Sequence, residues 1–197
     1  MNGGRFRELL DTLGQLVILS VLWMLLMLPV VTSVSATASL YYAVMKAVRR
    51  DRGDPVKEFF SCFRRTWKTG CLHSLLAVVL MGLMLLGALT LSPAYWLGVA
   101  LLSLVLICLG PAVSRFDLKF WELWSLSFLL AVRGIPWVLL TALGAAAVAL
   151  AQFFLLPMAV VLIGPGAMCL AATFPMEKVL AKAMPPKEDN EDEWYYG

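Results

Sequence analysis

The chain has 197 residues, of which 61% are hydrophobic and only 15% charged, with a formal net charge of +3. A soluble domain runs near half apolar and a quarter charged, so this composition excludes a water-soluble globular protein and specifies an integral membrane protein. A surplus this small excludes nucleic acid as a partner.

A bilayer core of about 30 Å needs roughly 20 apolar residues per helix. The runs 12–31, 72–91, 96–114, 134–152 and 153–174 each supply that length. The first follows a short lead with Arg5, Arg7, Glu8 and Asp11. It is too long for a secretory signal and has no small-x-small cleavage site, so it is expected to stay as a helix. Pro29 stands near its far end, where a proline breaks or kinks a helix. The stretch 30–48 is apolar but carries Thr32, Ser33, Ser35, Thr37 and Ser39, whose hydroxyls can bond back to their own helix. With Ser35, Ala36, Ala38 and Ser39 allowing close approach, it reads as a second, shorter span folded back on the first.

Between residues 46 and 68 lie Lys46, Arg49, Arg50, Arg52, Lys57, Arg64, Arg65 and Lys68. Short loops rich in Lys and Arg stay in the cytoplasm, so this segment is expected there. If 30–48 spans, there are six spans, both termini are cytoplasmic and the three outer turns carry no charge. If not, there are five and Arg5 and Arg7 lie outside. Six is the preferred count.

Within the basic segment Gly53 suits a left-handed helix end, Asp54 an N-cap and Pro55 a first helical position. From Pro55 a helix is expected with Val56, Phe59, Phe60, Phe63 and Trp67 on one face and Lys57, Arg64, Arg65 and Lys68 on the next. Such a helix lies along the interface, its cations toward anionic headgroups. Lys57, Arg64, Arg65, Trp67 and Lys68 are therefore the candidate lipid-contacting residues. An ordinary membrane-parallel connecting helix is the plainer reading of the same pattern.

His73, the single histidine, starts the third span within a turn or so of Lys68 and is expected at the interface, without a catalytic role. Ser92, Pro93, Tyr95 and Trp96 mark an outer hairpin turn at headgroup depth. A second cytoplasmic link, 114–134, is expected to form another interfacial helix. Its Lys119, Glu122 and Arg133 fall on one side, and Asp117 could pair with Arg115 or Arg133. The small residues Ala142, Gly144, Ala145, Ala146, Ala147 and Ala149 predict a central, closely packed fifth span. In the sixth, Gly164, Pro165 and Gly166 should interrupt the helix, either as a structural kink or as a break lining a cavity.

The four cysteines, Cys62, Cys71, Cys108 and Cys169, form no C-x-x-C pair, so free thiols are expected, with no disulfide, metal or cofactor. The chain thus reads as one all-α transmembrane domain, 1–184, with an acidic tail, 185–197, expected to be disordered. A faint repeat couples the Pro29 region to the Pro157 region, and the first basic link to the second.

Leu28-Pro29-Val30-Val31-Thr32, then Ala36-Thr37-Ala38-Ser39-Leu40-Tyr41-Tyr42, the charged Arg49-Arg50-Asp51-Arg52-Gly53 and Glu58-Phe59-Phe60 with Phe63 resemble the signature of the bacterial YesL family. Arg115-Phe116-Asp117 fits its second recurring patch. The resemblance implies a plasma-membrane protein of unassigned activity associated with carbohydrate uptake, and a sugar ABC-transporter subunit as a partner. It implies no catalytic residues.

Three functions are weighed. A non-enzymatic accessory or scaffold of carbohydrate uptake is favoured. A small autonomous transporter or channel, working as a monomer or homo-oligomer, is the alternative, but Gln152 and a few hydroxyls are all that the mid-membrane offers a solute. No H-E-x-x-H, no G-x-S-x-G and no intramembrane Asp pair points to an enzyme.

Overall fold

A computed structural model describes residues 3–88, 93–116, 118–155 and 159–181. Asp117, residues 89–92 and 156–158, within or beside which two outer turns were expected, and the tail 185–197 lie outside the described residues. The described chain is all-helical: α1 Gly3–Met27, α2 Ser33–Ala43, α3 Pro55–Ala88, α4 Pro93–Arg115, α5 Phe120–Arg133, α6 Ile135–Leu155 and α7 Ala159–Leu180. Among the described residues, three stretches are long and apolar enough to cross a membrane: Leu10–Met27, Pro55–Gly87 and Tyr95–Arg115. The pair Phe120–Arg133 and Ile135–Ala147, bent by 93°, can make a fourth.

The helix α1 ends where the sequence places its proline. Beyond it the Thr32 hydroxyl reaches back to the Leu26 carbonyl in the last turn of α1 and to the Pro29 carbonyl, which also accepts the Thr32 amide at 2.9 Å. A 3-10 turn, Val30–Thr32, then leads into α2. At 11 residues, α2 is about 16 Å long at 1.5 Å per residue, and it continues as a π-helical turn, Val44–Arg49.

Short as it is, α2 is the hub. It packs on α3, α4, α1 and α7, and Ser35, Ala36, Ala38, Ser39, Leu40, Tyr41 and Ala43 are buried. The serines and threonines act as the sequence suggests: Thr37 donates to the Ser33 carbonyl at 2.8 Å and Ser39 to that of Ser35 at 2.7 Å. Others tie α2 to α3. The Ser74 hydroxyl accepts the Val34 amide at 2.9 Å, and Ser35 donates to the Thr66 carbonyl at 3.1 Å. Gly70 permits this approach, because a Cβ there would lie 1.9 Å from Ser35 Oγ.

The same contact corrects an expectation. An interfacial helix and a separate third span were expected, yet α3 is one helix of 34 residues, about 50 Å long. The reason is a single buried seam, Phe59, Cys62, Thr66, Gly70, Ser74 and Ala77, spaced by threes and fours and running across the expected junction. Gly70 is where α2 docks, so nothing bends there. The start of the helix is as read: Gly53 has φ +90°, and Asp54 Oδ1 accepts the amides of Val56 and Lys57 at 2.9 and 3.0 Å.

A second correction concerns α6. It lies at the edge of the bundle, with α7 as its main neighbour. Leu139, Leu140, Leu143 and Gly144 are exposed, and nothing lies within 4 Å of a Cβ built on Gly144. The close packing of α6 is with α7, whereas α2 packs on four helices.

Candidate functional site

The ends of α2, α4 and α7 meet in a charged cluster. Glu177, in the last turn of α7, accepts from the Tyr41 hydroxyl at 2.9 Å and from Arg115 Nη2, while Arg50 Nη2 stands 3.9 Å from its other oxygen. Tyr41 comes from α2, Arg50 from just past the π-helical turn, and Arg115 closes α4. The Arg115 side chain is only 1% exposed and that of Glu177 15%. A carboxylate at a helix C-terminus opposes the helix dipole, whereas an arginine there complements it. Glu177 is therefore held in place by its two guanidinium neighbours, and the cluster joins three helices through one side chain.

Further cations brace the same end. Arg49 Nη1 donates to the Thr173 carbonyl at 3.1 Å, with its guanidinium 4.3 Å from the centre of the Phe174 ring. Arg65 donates to the Ser114 carbonyl at 2.7 Å, satisfying an acceptor in the last turn of α4. Lys46 pairs with Glu58 at 2.8 Å, and Lys178 lies 4.1 Å from the centre of the Trp137 ring. Most of these basic residues were read as topology signals, and they also lock helix ends together.

Next to the charged cluster lies a cavity of about 460 Å³, walled by α1, α2, α4, α6 and α7. The Tyr41 ring belongs to its wall, and the Tyr41 hydroxyl points out of it to Glu177. The other polar side chains around it have internal partners. Thr37 donates to Ser33 and accepts from Trp23 Nε1 at 3.3 Å, and Thr141 donates to the Val138 carbonyl at 2.6 Å.

Of Gly164, Pro165 and Gly166, Pro165 lines this cavity. The expected interruption is not found, since α7 runs unbroken through all three. A proline ring crowds the preceding turn and weakens its bonding, and here the Gly166 amide finds another acceptor, Ser20 Oγ of α1, at 2.8 Å. Ser20 in turn donates to the Leu16 carbonyl. A Cβ on Gly166 would come within 2.8 Å of that carbonyl, so this glycine serves the crossing of α1 and α7.

The candidate lipid-contacting residues divide. Lys57, Arg64 and Arg65 share an open depression of about 570 Å³ with Val56, Phe60 and Ser61. Trp67 and Lys68 lie outside it, both exposed. The expected aromatic face divides too: Phe59 is wholly buried against Leu16, Leu19 and Leu40, while Phe60 is exposed. His73, expected at the interface, is fully buried. Its Nδ1 accepts from Trp124 Nε1 at 2.9 Å, and its ring stacks on Phe120 at 4.5 Å between centres. It thus fastens α5 to α3, and no partner for its Nε2 occurs among the described residues.

Sequence reasoning missed Glu177 and Tyr41. The signal was present: Glu177 is the single acid between Glu122 and Glu188, and it sits at the end of an apolar run where a helix terminus would favour a cation. The cysteines are free, as expected. Among the described residues, no group of three His, Cys, Asp or Glu side chains is placed to hold a metal ion.

Residues 16–88, from within α1 to the end of α3, match the profile of a family described as a protein of unknown function, DUF624. No curated protein and no solved structure matches the chain.

Proposed function

We propose that this chain is a YesL-type protein of the bacterial plasma membrane that works as a non-enzymatic accessory or scaffold of carbohydrate uptake, with a sugar ABC-transporter subunit as its partner. The YesL resemblance and the DUF624 match over residues 16–88 support the family part of this reading. The observation that carries the rest is how the interior uses its polar groups. The cavity's hydroxyls bond within the bundle, and Glu177 is bound to Tyr41 and Arg115. A sugar or ion in transit needs polar groups that exchange partners with it, whereas these act as fasteners.

In this reading 30–48 crosses as the second of six spans, both termini are cytoplasmic, and the charged ends of α2, α3, α4 and α7 face the cytoplasm. The depression at Lys57, Arg64 and Arg65 meets anionic headgroups. Exposed Trp121 and Phe128, on a helix turned 93° from α6, suit a helix lying in the cytoplasmic interface.

The test is isolation of the tagged protein from its native membrane in mild detergent, with co-purifying proteins identified by mass spectrometry. A sugar-permease subunit at near-stoichiometric yield is expected. Recovery of the protein alone, or only with copies of itself, would replace this reading with the autonomous transporter, which has the Pro165-lined cavity in its favour.

A further inference from the structure

We infer that the cavity beside Tyr41 is a binding slot for a single hydrocarbon chain of a membrane lipid. This inference needs the protein to sit in a bilayer and does not need the accessory role.

The first argument is shape. Along α7 the wall is formed by Pro165, Met168, Cys169, Ala172 and Met176, a stretch about 16 Å long at 1.5 Å per residue. Residues of α1, α2, α4 and α6 line the space beside that stretch, which has a volume of about 460 Å³. An apolar space lined along about three turns of one helix offers its length to an extended hydrocarbon chain. A compact solute such as a sugar ring would fill only part of its length and leave the remainder empty.

The second argument is chemistry. Leu40, Leu106, Ile107, Pro111 and Ala145 complete a wall that is almost wholly apolar. Thr37, Thr141 and Tyr41 line it too, but their hydroxyls already donate to Ser33, Val138 and Glu177. An occupant that forms no hydrogen bonds is therefore the one that loses nothing on entry. Met24, Met168 and Met176 give the wall flexible thioether side chains that adapt to a bent or branched chain. The volume lies within the range of small-molecule pockets, roughly 300–1,000 Å³.

The chain could belong to a phospholipid acyl group or to an isoprenoid. Both present the same apolar cylinder, so the experiment separates them. The full-length protein is reconstituted into phosphatidylethanolamine–phosphatidylglycerol vesicles doped with a phospholipid bearing a diazirine near the end of one acyl chain. In parallel, vesicles are doped with a diazirine-bearing polyprenol. After irradiation, labelled peptides are mapped by mass spectrometry over a range of probe concentrations. Expected is saturable labelling around Ile107, Met168 and Ala172, beside labelling of the exposed Leu83 and Leu86 face of α3 that rises in proportion to probe. The probe that saturates at the lower concentration names the source of the chain, and equal saturation means that the slot accepts either.

Ala172→Phe narrows the slot from α7 and Ala145→Phe narrows it from α6. Each should raise the probe concentration needed for saturation about tenfold, equivalent to 1.4 kcal/mol, and leave the α3 labelling unchanged. Wall labelling that rises in proportion to probe in the wild-type protein, like that of α3, would overturn the inference. That wild-type result stands even if neither variant folds.

Discussion

A carboxylate held between two arginines and a tyrosine is the most consequential contact at the residue scale. Removing one partner of a largely buried ion pair costs about 3–5 kcal/mol, because the remaining charge loses its compensation. Glu177→Ala should therefore destabilise the protein by about that amount, read as a lowered unfolding temperature in detergent. Glu177→Gln keeps an acceptor for Tyr41 and should lose less. Equal stability of Glu177→Ala and wild type would show that the cluster contributes nothing to the bundle. Tyr41→Phe removes one hydrogen bond to a charged group, an effect of about 1.5–3 kcal/mol, while its ring still walls the cavity. Unfolding temperature and chain-probe labelling should thus separate in this variant, the first falling and the second persisting.

Among the elements, the crossing of α2 and α3 depends on an absent side chain. Gly70→Ala would set a methyl group 1.9 Å from Ser35 Oγ, and overpacking of this kind costs about 1–3 kcal/mol. Pairing it with Ser35→Gly should recover part of the loss, and the coupling is read from a double-mutant cycle of unfolding temperatures. Additive effects would mean that the two residues do not share the contact. The helix starts were legible in the sequence because capping is local: Asp54 and Gly53 announce themselves within a few residues. The hydroxyls of α2 were legible for the same reason. The continuity of α3 was not, because charge and aromatic content change at Lys68 while the seam facing α2, made of Cys62, Thr66, Gly70, Ser74 and Ala77, continues. Small residues at helical spacing mark a close neighbour, yet they do not say which helices meet. Hence α2 and α6 looked alike in sequence and differ in the bundle. The burial of His73 was not legible either, since Phe120 and Trp124 reach it from another helix. The cluster around Glu177 draws on residues 41, 50, 115 and 177, and only tertiary structure brings them together.

For the whole molecule, the proposed six spans with a cytoplasmic charged end make a direct prediction. On a cysteine-free background, single cysteines at Thr12 and Ser92 should be labelled by a membrane-impermeant thiol reagent from opposite sides. Labelling from one side would leave five spans. Replacing Arg64, Arg65 and Lys68 together with Glu should reduce insertion or invert the local topology, because the cytoplasmic excess of Lys and Arg sets orientation. Unchanged topology and yield would remove that role from the basic face. The length of α3 has a mechanical consequence. A helix about 50 Å long exceeds a hydrocarbon core of about 30 Å by some 20 Å, and α3 has no proline after Pro55 and a single seam along its buried side. It is one uninterrupted helix with basic residues toward one end and, at mid-length, a docking point for α2. Any change in the tilt of α3 would be passed to α2 through the Gly70 crossing, and with it to the tyrosine that stands between the cavity and the charged cluster.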